Sequence, residues 1–293
     1  MITKTFLFSC FLMCSIHSSV VAQTNEKMAE NHHAKTILKD LDFKTVINTF
    51  YQKQFQTTKI DQLDQQNISY IGIKNAEYTN ALNSDDAVVV FSPARTYRNA
   101  QNELRYVFTT TEVSVDKNNH ELNFCGACAT FTRVYIFKKN ASSQFELISQ
   151  SQDENSWMNA DFNYLPYSTS DIVKNIRKVG PQIKAYVEEQ EFSRQGYSST
   201  TLYIVPFDEK PYIKKLIVAE IGNDNEVSGS EQIYNTQGDY QFLTTVHDGL
   251  YDIEIAYTGT QRIYIEDRAK IIPINETHVY HYNEKQQKYI RVK

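Results

Sequence analysis

The chain has 293 residues, 41% of them hydrophobic and 22% charged. This is enough apolar material for one large core or two modest ones, and too ordinary a mix for a collagen-like or low-complexity chain. A formal charge of -5 provides no basic face and argues against nucleic acid as a partner. Its 20 Tyr and 16 Phe against one Trp favour pleated, half-buried surfaces, and so a sheet-rich protein.

Residues 1–22 read as a secretory signal. Lys4 precedes an apolar run from Phe6 to Ile16, and Ser18, Ser19 and Ala22 supply small residues before Gln23. That run falls short of the roughly 20 apolar residues a membrane-spanning helix needs. Cleavage near Ala22 is therefore expected over a retained anchor. A lipid anchor on Cys14 ranks lower, because Leu12 and Met13 before it are bulky. No later stretch approaches spanning length. The expected location is the bacterial periplasm or the exterior, with no transmembrane segment after signal removal. Cys10 and Cys14 leave with the signal, and the mature chain keeps Cys125 and Cys128 in an oxidising compartment.

Residues 23–66 form a polar segment followed by a helix. Phe43, Val46, Ile47, Phe50 and Phe55 lie on one helical face behind Asp42 as N-cap, which predicts a short N-terminal α-helix over about 43–56. From 67 to 293 the period changes to two. Ala87–Phe91 predicts a buried strand closed by Ser92-Pro93. Leu104–Val115 predicts a second strand, and Phe131–Phe137 with Phe145–Ile148 a hairpin. Residues 151–171 are polar and mark a long excursion or a subdivision of the body near 151–175. Further strands follow at 183–187, 200–207 and 213–221. The strongest hairpin signal is Asp248-Gly249 between 240–246 and 250–257. There the odd residues Tyr251 to Tyr257 predict a buried face and Asp252, Glu254 and Ala256 a wet one, with Thr258-Gly259-Thr260 as the next turn. A faint repeat of strand pairs begins near Thr132, Thr201 and Thr277. The expected fold class is mainly β, an antiparallel meander, with a propeller as one arrangement the repeat would allow.

Only one compact motif could carry chemistry, Cys125-Gly126-Ala127-Cys128. In an oxidising compartment the bland reading is a structural disulfide across a tight loop. A redox pair would need a thiolate stabilised by a cation or a helix N-terminus, and the flanks read as strand. A metal site would need a second ligand pair, and only His120 is near in sequence. Haem attachment fails because residue 129 is Ala. His278 and His281 lie three apart on a strand and so point to opposite faces. No hydrolase, phosphate-binding or dinucleotide motif occurs, and no cofactor or metal is expected.

Three stretches together resemble an uncharacterised family of exported bacterial envelope proteins. They are the Cys125–Cys128 turn followed by Val134-Tyr135-Ile136-Phe137, then Val179-Gly180-Pro181, then Gln195-Gly196-Tyr197. The resemblance spans about 100–210. It implies export and the pairing of a C-x-x-C turn with a Q-G-Y strand, and it implies no catalytic residues.

The expected function is a non-catalytic envelope protein that binds another protein or an envelope polymer through a tyrosine-rich surface. An inhibitor or immunity-type protein is one member of that class. Trp157, Phe162, Tyr164, Tyr167 and Tyr197 are the candidate contact residues, since aromatic side chains supply contact area at low entropic cost. The alternative from another class is a thiol–disulfide oxidoreductase using Cys125 and Cys128.

Overall fold

The structure is a computed structural model. It describes residues 36–51, 57–60, 70–74, 86–115, 130–151, 157–159, 168–194, 196–225, 233–265 and 268–292. Among them the protein is mainly β, built from two antiparallel sheets and two short helices.

The first half of the chain forms a nine-stranded sheet. Its centre is β4 (Asp86–Arg98), β5 (Leu104–Val115), β6 (Thr130–Lys139) and β7 (Phe145–Ser151), each paired antiparallel with the next. β2 (Thr57–Ile60) and β3 (Tyr70–Lys74) extend it beyond β4. On the other side, β1 (Ile37–Leu38) pairs with β7, and β8 (Trp157–Asn159) with β6. β4 does not stop at Ser92-Pro93 as its sequence predicts. It passes through a bulge between Ser92 and Arg95 and continues to Arg98. A proline lacks the N–H for a regular ladder and is tolerated at such a bulge.

Both faces of this sheet are covered. On one lies α1 (Phe43–Phe50), whose Val46 and Ile47 are buried. Phe50 packs against Tyr135 with ring centroids 4.5 Å apart, and Phe108 stacks on Tyr135 at 4.8 Å. The helical stripe is therefore core packing. The helix is shorter than expected, and Asp42 makes no side-chain capping bond. The alternate residues Val107, Val134 and Ile136 point to the opposite face. There they meet α2 (Thr169–Lys174), capped by Ser168 and docked on the β4 bulge through Thr169 N–H to Ser92 Oγ at 2.9 Å.

The second half forms an eight-stranded sheet. In spatial order it contains β9 (Ile176–Lys178), β10 (Lys184–Arg194), β11 (Tyr197–Pro206), β13 (Leu216–Asn225), β14 (Asn235–His247), β15 (Leu250–Ile265), β16 (Arg268–Asn283) and β17 (Lys288–Arg291). β13 and β14 pair only from Gly222 to Asp224. Beyond that seam the sheet folds back, so that β17 packs against β13. Leu202, Ile204 and Val218 from one limb face Ile253, Ile255 and Tyr289 from the other in a single core. The fold-back brings Gly180 so close to Gly249 that a Cβ there would fall on the Gly249 carbonyl oxygen. Beside it, Tyr251 N–H donates to Val179 O at 2.8 Å. The described strands form no ring of blades, so the repeat reflects recurring hairpin composition.

The predicted hairpin at Asp248-Gly249 is present. Both residues have positive φ, 46° and 86°, as a two-residue primed turn requires. Two expectations nearby need correction. Asp252 is buried rather than wet, because His247 Nδ1–H bonds its Oδ1 at 2.6 Å. The turn expected at Thr258–Thr260 is absent, since β15 runs on to Ile265. Gly259, at φ 101°, lies opposite Thr236 at the start of β14, where a Cβ would fall on the Asn235 carbonyl oxygen. Past it β15 pairs only with β16, forming a two-stranded ribbon to Ile265 and Arg268.

The sheets share a core. Tyr97, Val107, Val134 and Ile136 from the first meet Tyr186, Val205 and Phe207 from the second. Between β11 and β13 the chain crosses over, adding β12 (Tyr212–Ile213) parallel to β7 before it returns. Arg105, buried in the first sheet, holds Glu209 of this crossover at 2.7 Å and Glu103 at 2.6 Å.

Candidate functional site

The expected contact residues fall in different places. Trp157 lies on β8 of the nine-stranded sheet, whereas Tyr197 opens β11 of the eight-stranded sheet, so they do not share a sheet. Phe162, Tyr164 and Tyr167 lie outside the described residues, as do Cys125 and Cys128 in the connection from β5 to β6. Tyr197 is exposed.

Among the described residues, the eight-stranded sheet carries at least two depressions. One, of about 230 Å³, lies beside the crossover. Several of its charges are paired: Lys210 with Asp208 at 3.2 Å and Glu284 at 3.8 Å, and Asp248 accepts from Glu284 N–H at 2.8 Å. The other, of about 310 Å³, lies at the seam where the sheet folds back, lined by residues of β13 to β17 and by Tyr234.

This second groove is built from strand alternation. Tyr257 on β15 and His278 and Tyr280 on β16 share one face of the strand pair, Tyr257 lying opposite Glu276, and all three line the groove. Tyr257 O–H donates to the Glu220 carbonyl oxygen at 2.9 Å, and its oxygen lies 3.2 Å from that of Tyr280. A carbonyl has no proton to give, so the Tyr257 proton is committed there and Tyr280 donates to Tyr257. The Tyr280 oxygen keeps lone pairs for an incoming donor. His278 is buried, its ring 5.0 Å from that of Tyr257. Its Nε2–H donates to Glu276 Oε2 at 2.9 Å, which leaves Nδ1 as the remaining polar atom of the ring. Burial raises the Tyr257 phenol well above the ordinary tyrosine range, helped by the Tyr280 hydrogen bond.

Arginines supply the charge. Arg291 comes from β17 and Arg262 from the ribbon beyond Gly259. The Arg262 guanidinium stacks 5.1 Å over the Tyr264 ring. Its Nε is buried and has no hydrogen-bond partner among the described residues. Burial also raises the Tyr234 phenol, against the pull of Arg262, and nearby Tyr197 adds to the rise. Tyr197 is not among the residues that line this groove. Sequence reasoning missed Arg262 because the strand was expected to end at Gly259, and missed Tyr257 as a lining residue by assigning it to the core alone.

Among the described residues no cluster of three or more His, Cys, Asp or Glu side chains is placed to hold a metal ion. None of the described helices is long and apolar enough to cross a membrane. No family model, curated protein or solved structure matches the chain.

Proposed function

We propose that the protein is an exported, non-catalytic binding protein of the bacterial envelope, and that its ligand seats in the groove at the seam. The groove carries this reading: tyrosine rings, His278 and two arginines converge in about 310 Å³. Aromatic walls with a few fixed polar groups are what a binding site needs. His278 and Tyr257 are each held by a hydrogen bond within the sheet, an arrangement that orients a ligand rather than activating a nucleophile. The pattern of residues 1–22 supports export, and Tyr234, Tyr257 and Tyr280 in the groove lining support an aromatic contact site. An inhibitor or immunity-type role would be one use of such a site.

Co-sedimentation of the purified protein with isolated envelope polymer and with envelope proteins tests the reading. Binding by the wild type that falls at least about tenfold in Tyr280→Ala is expected, since a lost aromatic contact with its hydrogen bond removes about 1.4 kcal/mol or more. Equal binding by the two proteins, or none by either, would refute it.

A further inference from the structure

The groove reading can be taken one step further, to the chemistry of the ligand. We infer that the groove receives a carboxylate-bearing saccharide, with Arg262 and Arg291 on the carboxylate and the tyrosine faces against the sugar ring. This inference rests on the proposal that the seam groove is the binding site.

Charge comes first. Neither arginine makes an ion pair among the described residues. The acids beside them are already engaged: Glu220 accepts from Asn223 Nδ2 at 2.6 Å, and Glu276 from His278 at 2.9 Å. Two cations are thus left facing the groove. A guanidinium presents a planar fork that matches a carboxylate with two parallel hydrogen bonds. The Arg262 guanidinium also lies over the Tyr264 ring, 5.1 Å from its centroid. Its Nε is buried without a partner among the described residues, so an incoming carboxylate would be met by the terminal nitrogens of the fork.

The remaining lining favours a sugar. A saccharide offers hydroxyls that both donate and accept, together with a C–H face that packs on aromatic rings. Tyr280 oxygen is left as an acceptor by the proton order along Tyr280, Tyr257 and the Glu220 carbonyl. Gln261 contributes an amide with both donor and acceptor atoms, and the half-buried rings of Tyr234 and Tyr280 provide flat apolar surface. An acidic peptide is the competing occupant. Peptide recognition uses pockets for alternate side chains, and Ile274 is the one aliphatic side chain in this lining.

Calorimetric titration of the full protein separates these ligands. The probes are oligogalacturonate, its fully methyl-esterified counterpart, and oligoglutamate of matched charge. Oligogalacturonate is expected to bind at least about tenfold more tightly than either other probe, with an affinity that falls as salt rises. Arg262→Gln and Arg291→Gln are each expected to lose about tenfold while keeping the wild-type circular dichroism, and Tyr280→Phe to lose severalfold. Equal binding of the methyl ester, or arginine variants that bind as wild type, would overturn the inference. Tighter binding of oligoglutamate would replace the sugar with an acidic peptide. Failure of all three probes, with Tyr280-dependent co-sedimentation intact, would sink the saccharide and leave the binding-protein reading standing. Loss of both would remove the two together.

Discussion

At the scale of single residues, the most consequential polar group outside the groove is Arg105. It is buried, and both its charged partners are carboxylates, one on its own sheet and one on the crossover. Removing the arginine leaves two carboxylates without their cation, Glu103 mostly exposed and Glu209 partly so, and it empties a buried position. Arg105→Ala is expected to destabilise the protein by about 2–3 kcal/mol in urea unfolding, somewhat below the fully buried case because Glu209 is partly exposed. Arg105→Lys would recover little, since an ammonium cannot span two carboxylates with a planar fork. The tyrosines give a second expectation. Burial is the main cause that raises Tyr97, Tyr186, Tyr257 and Tyr289 above the ordinary value of 10.0. The unfolded chain therefore releases these protons at a lower pH than the folded one. Above about pH 10 the folded state binds more protons than the unfolded state, so stability falls as pH rises. Below that pH their contribution is fully present. Alkaline titration should show tyrosinate absorbance from these residues appearing together with loss of the β-sheet circular dichroism signal. Ionisation well before unfolding would contradict the burial.

At the scale of elements, local patterns were readable and partnerships were not. The apolar spacing of Phe43, Val46, Ile47 and Phe50 marks the first helix because that stripe has somewhere to pack. Asp248-Gly249 marks the hairpin because so few residue pairs accept two successive positive φ values. In contrast, Pro93 and Gly259 read as strand breakers and instead sit inside continuous strands, Pro93 at a bulge and Gly259 at a positive φ within an unbroken ladder to β16. A one-dimensional pattern does not distinguish an interruption from a detour. The groove was hidden for the same reason. Its residues run from Glu220 to Arg291 and converge only through the fold-back at the short β13–β14 pairing. That fold-back makes its own prediction at Gly180. Gly180→Ala would place a methyl group on the Gly249 carbonyl oxygen, a backbone atom with little room to move. Such overpacking costs about 1–3 kcal/mol, and the melting temperature should fall accordingly. Gly249→Ala should cost less, about 1 kcal/mol, since only positive φ is at stake there.

At the scale of the whole molecule, the two sheets behave as one body. Their shared core contains Ile136 and Val205, both fully buried, and the crossover strand β12 ties the second sheet to the edge of the first. Ile136→Ala should cost about 2–4 kcal/mol and lower the midpoint of a single transition. Two separate transitions on heating would show instead that the shared core does not couple the sheets. The mainly-β class was legible from composition and period, because alternation needs only neighbours in sequence. The division into two sheets was not, because strands such as β12, two residues long, take their place from the edge that receives them.

The ribbon beyond Gly259 has one more implication. Among the described residues its two strands pair in the sheet only with each other, and one of them carries Arg262 into the groove. On the proposed function, an arm held by a single ladder is less firmly ordered than a strand paired on both edges. Part of the attraction for a ligand would then go into ordering that arm. Stiffening the outrigger with better cross-strand pairs would tighten capture without adding a single new contact to the cargo itself.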